Sequence, residues 1–312
     1  MSVSPHVIHW DAVEKKYREA GDIASTWTML GEAAGTVSAG LRRIEVTEGK
    51  RTTALHVHGA EEEIFYVLAG AGLLYQGEAT CEVKAGDCIV HRPETEAHTL
   101  RGGPQGLDVL VFGTRVPVEI CRLPRAGMAW AGPTVIAAPG LMNLWEKDAA
   151  IGPLEFPPPG AGPANVVSVD GVPARLSERP GYARTWRGLG RAGGATKTGL
   201  NHLTLAPGCT GAPLHCHSSE EEIFVVLDGE GVLTLGRDTF PVRRGHVVAR
   251  PAGTGVAHSF RAAVAGLTYL AYGTREPADM TWYPRSKKVY FRGLGVIGRV
   301  EPLDYWDGEE QP

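Results

Sequence analysis

Two sets of residues in this sequence have the types and spacing for metal chemistry. His56-x-His58 is followed by Glu63 and, further on, by His98; His215-x-His217, Glu222 and His258 repeat the set. Side chains alternate across a strand, so the two histidines of an H-x-H pair present their imidazoles on one face. Glu63, Phe65 and Val67 share a face of the next strand by the same rule. Three imidazoles and one carboxylate suit a first-row divalent ion, and octahedral geometry leaves two positions open for water or substrate. A lone H-x-H pair is commonly just a hydrogen-bonded barrel face. Here the set occurs twice and uses six of the eleven histidines. Glu61 and Glu62 adjoin Glu63, and Glu220 and Glu221 adjoin Glu222. Strand phase and the distance to Gly70 and Gly229 select Glu63 and Glu222, and the other four acids read as solvated turn residues.

The elements that must position these residues are themselves duplicated. Trp27, Leu30, Gly31, Gly35, Gly40 and Leu41 recur 159 positions later as Trp186, Leu189, Gly190, Gly194, Gly199 and Leu200, and His56 recurs at the same offset as His215. Downstream the offset is 160: His98 matches His258, and Gly113-Thr114-Arg115 matches Gly273-Thr274-Arg275. A period this long denotes duplicated domains, not a solenoid. We place them at residues 1–150 and 151–312, joined through Phe156-Pro157-Pro158-Pro159-Gly160. Within a repeat, short apolar runs end at Gly or Pro: Glu63 to Leu68, Gly72 to Tyr75, Cys81 to Lys84, Cys88 to His91 and Leu107 to Phe112. Such punctuation reads as an all-β sandwich or barrel. A short helix is expected near Ala12 to Tyr17.

Composition excludes several classes. The chain has 312 residues, 43% of them hydrophobic and 21% charged, which is globular and not disordered. A net charge of −4 without a long basic run argues against nucleic-acid or membrane-surface binding. Gly127 to Trp145 is the longest uncharged stretch, but its glycines and prolines favour a loop packed on a core over a membrane span. Charged residues near the N-terminus do not suit a signal peptide, and five cysteines without CxxC spacing suit reduced thiols, so a cytoplasmic setting is expected.

The pattern H-x-H-x4-E-x6-G, present as His56, His58, Glu63, Gly70 and as His215, His217, Glu222, Gly229, resembles the first cupin motif. The second motif is approximated by Gly86, Pro93 and His98, and by Gly245, Pro251, Gly253 and His258. One extra residue precedes Pro93, and two extra residues precede His258. The resemblance spans both repeats and implies a bicupin: two tandem double-stranded β-helix barrels of the jelly-roll type. It further implies up to two divalent ions per chain, Fe(II) or Mn(II) foremost, with Ni(II), Co(II) or Zn(II) as further candidates. Cupin chemistry is diverse, so the fold leaves the reaction open. Our first reading is a dioxygenase that takes dioxygen and a small electron-rich chelating substrate, such as an enol, a catechol-like ring, a thiol or thione, or a heterocycle. The alternatives are a non-redox metal enzyme (isomerase, decarboxylase or hydrolase) and a binding or storage protein. Bicupins can be monomers or homo-oligomers.

Residues around the ligands are assigned as follows. No general acid or base stands out. Arg101 and Arg261, three positions after the last histidine, would hold a substrate carboxylate or else lie on the surface. Tyr66, Tyr75 and Cys216 read as packing residues. Arg115 and Arg275 read as structural. His91 has no counterpart in the second repeat, where Ala249 is nearby, and it tilts the choice of working site to the N-terminal one. The aromatic tail Tyr290 to Trp306 is expected to pack across a barrel or a partner subunit.

Overall fold

The computed structural model describes residues 4–131, 134–136 and 144–309. Among these, each half forms an eight-stranded and a four-stranded antiparallel sheet. In the N-terminal half the large sheet runs Val166–Ser168, Asp87–His91, Glu63–Gln76, His98–Thr114, Ala39–Val46, Ile23–Thr28, Lys15–Ala20, with Ala79–Lys84 on the side of Glu63–Gln76. The C-terminal half repeats this order with Val7–His9, His246–Arg250, Glu222–Leu235, His258–Gly273, Gly199–Leu205, Tyr182–Gly188 and Arg175–Arg179. The all-β, two-barrel architecture therefore agrees with the sequence.

The first strand of each repeat crosses over. Val7–His9 pairs with His246–Arg250 of the other barrel, and Val166–Ser168 pairs with Asp87–His91. Alternation then sorts the side chains. Phe65, Val67, Val109 and Val111 face the interior of the N-terminal barrel, while Phe224, Val226, Tyr269 and Leu203 face that of the C-terminal barrel. The intervening residues Ile64, Tyr66, Leu110 and Phe112 turn outward and meet Ile223, Val225, Leu270 and Tyr272 in one core between the barrels. The equivalent rings of Phe112 and Tyr272 stack there at 5.2 Å.

The cupin-motif glycines have a steric reason. Gly70 and Gly229 have φ near +78° and +73°, and a Cβ at either would collide with the carbonyl oxygen of Gly106 or Gly266. The long strands Glu63–Gln76 and His98–Thr114 shift register there and bend around the barrel.

Four local expectations are corrected. Lys15–Ala20 is a strand, not part of a helix; it pairs with Ile23–Thr28 across a turn whose Gly21 has φ of 59°. Only Trp10–Ala12 is helical, as one 3-10 turn. Within Gly127 to Trp145, Met128–Ala131 and Thr134–Ile136 are paired strands, and residues 137–143 lie outside the described ones. The four acids beside Glu63 and Glu222 are buried, not solvated. Glu62 accepts hydrogen bonds from the Thr196, Lys197 and Thr198 amides and from both threonine hydroxyls. Glu221 accepts them from the amides of Val37, Ser38 and Ala39 and from the Ser38 hydroxyl. Each repeat thus seats a carboxylate in a loop of the other. In the tail, Lys288–Phe291 and Val296–Arg299 extend the small sheet, but Tyr305 and Trp306 are exposed, so of the two expected packings the one on a barrel fails for the end of the tail.

Candidate metal centres

His58 lies on the two-residue strand Val57–His58, and Glu63 and His98 are the first residues of Glu63–Gln76 and His98–Thr114. His56 joins His98 by backbone hydrogen bonds in both directions. These elements bring four side chains together at the barrel mouth. Glu63 Oε2 is 3.7, 3.2 and 3.5 Å from the Nε2 atoms of His56, His58 and His98. In the second barrel Glu222 Oε2 is 3.4 Å from His217 Nε2 and 3.2 Å from His258 Nε2, and His215 contributes a donor atom to the same cluster. All eight residues singled out in the sequence converge in two sets of four.

The donor atoms suit a cation. Imidazole Nδ1 of His56, His98 and His215 faces the carbonyl oxygens of Ala54, Glu96 and Pro213 at 2.9, 3.3 and 2.7 Å. A carbonyl only accepts, so each Nδ1 carries the proton and Nε2 keeps its lone pair. Glu63 Oε2, His98 Nε2, His217 Nε2 and Glu222 Oε2 are buried, and none makes a well-formed hydrogen bond. Buried polar atoms are rarely left so, and a divalent ion among them would satisfy all four.

Electrostatics agree. Burial disfavours charge on His58, but Glu63 and Glu119 on either side outweigh it and push the imidazole up to about 10. Burial would raise the Glu63 carboxyl, but the surrounding histidines hold it well below its usual range. Glu222 is likewise held near about 2 by His258, His217 and His215 against the effect of burial. Where no other cation is near, these carboxylates draw positive charge onto an imidazole.

Two orienting residues escaped the sequence reading. Glu119 Oε1 accepts from His58 Nδ1 at 3.1 Å, and its carboxylate also takes the amides of Gly59, Ala60 and Glu61. Asp279 Oδ2 accepts from His217 Nδ1 at 2.7 Å, while Oδ1 takes the amides of Ser219 and Glu220. The signal was available: Val116-Pro117-Val118-Glu119 and Glu276-Pro277-Ala278-Asp279 follow the repeated Gly-Thr-Arg at matching positions. His217, Glu220 and Asp279 also cluster as a third donor set. Arg292 pairs with both acids of that set, which makes it a salt-bridge network. Carboxylates that fix a ligating imidazole typically tune affinity 10- to 100-fold. We therefore expect Glu119→Gln and Asp279→Asn each to weaken metal binding at its own centre by about that factor, read by competition with a chelator. Unchanged affinity in both would show that these carboxylates only staple loops.

His91 does have a structural counterpart. Glu63 pairs with His91 and Glu222 with Arg250, so the equivalent of His91 is Arg250 and not Ala249. His91 stacks on His98 at 3.5 Å with an interplanar angle of 3°. Arg250 donates to Val256 O and Thr254 Oγ1, bracing the loop that leads to His258. The two barrels support their last histidine by different means, and this is where their loop lengths diverge. The other candidates lie away from the centres. Arg101 stacks on Phe156 of the linker at 4.1 Å, and Arg261 donates to Gly208 O. Tyr66 and Cys216 are buried, Tyr66 in the core between barrels, and Tyr75 packs on Phe156. Arg115 pairs with Glu61 and lies against Gly40, in keeping with a structural role. The five cysteines are free thiols, and no helix among the described residues is long and apolar enough to cross a membrane.

The profile of the cupin domain matches residues 42–103 and 201–266, which include every residue of both clusters. No curated protein matches the chain in sequence. Among solved structures, a variant of oxalate decarboxylase from Bacillus subtilis superposes with a TM-score of 0.61 at 14% identity, covering 88% of this chain and 78% of that one. A second variant gives 0.60 at 15% identity, with 89% and 80% covered. The same enzyme, in a form studied for its Mn(II) centers, gives 0.60 at 14% with the same coverage. At such identity the likeness is one of fold.

Proposed function

The chain is a two-domain cupin protein, and from that premise we propose that it is an enzyme dependent on divalent first-row ions, acting on a small chelating anion without net oxidation. The observation that carries this reading is the convergence, twice over, of three imidazoles on one buried carboxylate whose coordinating atoms lack hydrogen-bond partners. His56, His58, Glu63 and His98 would hold one ion, and His215, His217, Glu222 and His258 the other. Mn(II) and Fe(II) fit this mixed nitrogen and oxygen set. When bound, such an ion polarises a carbonyl or carboxylate and stabilises an enolate-like anion.

The chain's own residues supply the rest. Glu119 and Asp279 fix the tautomer and orientation of His58 and His217. Backbone carbonyls do the same for His56, His98 and His215. Phe65 stands edge-on to His98, and Phe224 lies tilted against His258; both keep water from the inner side of the site. In that low-dielectric setting the charge of a bound anion interacts more strongly with its partners than in water.

The choice between non-redox chemistry and the dioxygenase reading rests on two supports. The cavity at the C-terminal centre, about 140 Å³, has Arg184 in its lining, a partner for the carboxylate of a short acid. The solved structures of similar fold include oxalate decarboxylases. An oxygen electrode separates the two readings. On any acid that is turned over, oxygen uptake should be far below one molecule per molecule of product. Uptake in equal proportion to product, with turnover that stops under nitrogen, would restore the dioxygenase.

A further inference from the structure

The two centres are matched in their ligands but not in what surrounds them. At the C-terminal centre the 140 Å³ cavity touches His215, Glu222 and His258. Its polar lining includes Arg184, Asn201 and Tyr269. Arg184 is half-buried and has neither a hydrogen bond nor an ion pair among the described residues. Arg184 lies two residues before Trp186 on Tyr182–Gly188, so it shares the face that packs on the barrel interior, and it lines the cavity beside the centre. Tyr283 stacks over His215 at 5.8 Å. Asn201 Oδ1 is buried and also lacks a partner. An unpaired guanidinium suits an anion, and the buried Asn201 Oδ1, which can only accept, suits a hydroxyl donor on the same ligand.

The N-terminal barrel is equipped differently: its guanidinium is that of Arg42, whose buried Nε has no partner and whose charge bears on Glu63, and it lines a recess that includes none of the candidate ligands. The repeat puts Ser25 where Arg184 stands, Arg42 where Asn201 stands and Val109 where Tyr269 stands. The Ser25 hydroxyl is used internally, donating to Thr52 O and accepting from Trp27 Nε1. Arg42 lies over the Trp27 ring at 5.4 Å, and Trp130 and Trp145 line that recess with it. His91 packs flat on His98. With its ring taken up by His98, His91 gives no ground for preferring the N-terminal centre.

We propose that the C-terminal centre is the one that binds substrate, and that Arg184 holds the carboxylate of a short carboxylic acid whose other end lies against His215, Glu222 and His258. This rests on the metal reading of that centre. Water occupies about 30 Å³ per molecule in the liquid, so the cavity holds on the order of five such groups. A short acid of about two to four carbons fits that space. A guanidinium matches a carboxylate with two parallel hydrogen bonds, which a neutral amide cannot accept in the same way.

The test is calorimetric titration of glycolate and malonate, with glycolamide as the neutral comparison, into full-length protein loaded with Mn(II). Metal content is counted on the same preparation. The wild type should bind at least one of the two acids once per chain and prefer it to glycolamide. Arg184→Met should weaken that binding about ten- to a hundredfold with the metal count unchanged. Arg42→Met should leave it unchanged. Equal affinity in Arg184→Met, a loss confined to Arg42→Met, or full metal loading with neither acid bound would overturn the proposal alone. A chain that takes up no metal would overturn the underlying reading, and the proposal with it.

Discussion

Glu62→Ala should cost the folded protein about 3–5 kcal/mol, because a buried donor left without its acceptor costs about 1–3 kcal/mol and several are stranded at once. The Glu62 carboxylate is fully buried between the barrels and accepts from Thr196 N at 2.8 Å, Thr198 N at 2.9 Å and Thr198 Oγ1 at 2.6 Å, with Thr196 Oγ1 and Lys197 N adding longer contacts. Water admitted to the vacated space would recover part of the loss, so the cost stays below the full sum. Unfolding entropy scales with chain length, so this corresponds to a fall in melting temperature of about 5–8 °C if both barrels unfold together. Glu221→Ala should act alike through the loop Val37 to Ala39. The two sites share no partner, so the double variant should show nearly the sum of the single effects. Glu178→Ala, on the exposed strand Arg175–Arg179, should shift the midpoint by less than a degree. Thermal melts followed by circular dichroism check this. A Glu62→Ala midpoint as close to wild type as that of Glu178→Ala would mean that the carboxylate is not what docks the barrels.

These carboxylates also show where the sequence was legible and where it was not. The two-barrel fold and all eight converging side chains could be read because the duplication printed each pattern twice, with period-two alternation fixing which residues point inward. Glu61, Glu62, Glu220 and Glu221 were misjudged because an acidic run at a turn is usually solvated. Glu62 and Glu221 are seated in loops more than 130 positions away, and Glu61 and Glu220 are paired with Arg115 and Arg292 further along their own repeats, which no local pattern records. The counterpart of His91 was misplaced by one residue, although the offset of 159 leads to Arg250, because a second histidine was sought there; the strand register confirms Arg250. Lys15–Ala20 resembles a helix start in composition but is held as an edge strand by its neighbour across Gly21. Glu119 and Asp279 were within reach, since both follow the repeated Gly-Thr-Arg. They were passed over because a carboxylate beyond the motif looks like any surface acid. Arg184 carried no signal at all: its position is a serine in the first repeat, and only the cavity gives it meaning.

As proposed above, the chain would hold two separate four-ligand metal centres. Each ion would lose one of its four protein ligands in His58→Ala or His217→Ala, and few groups remain to retain it. The barrels should stay folded in both variants, because their interiors are built from Phe65, Val67, Val109 and Val111 and from Phe224, Val226 and Leu203, none of which is disturbed. The direct test is elemental analysis of protein reconstituted with Mn(II) and freed of loosely held ion, run in parallel on the wild type and the two variants. The expected contents are close to two ions per chain for the wild type and close to one for each variant. A wild type near zero, or variants that keep both ions, would contradict the claim.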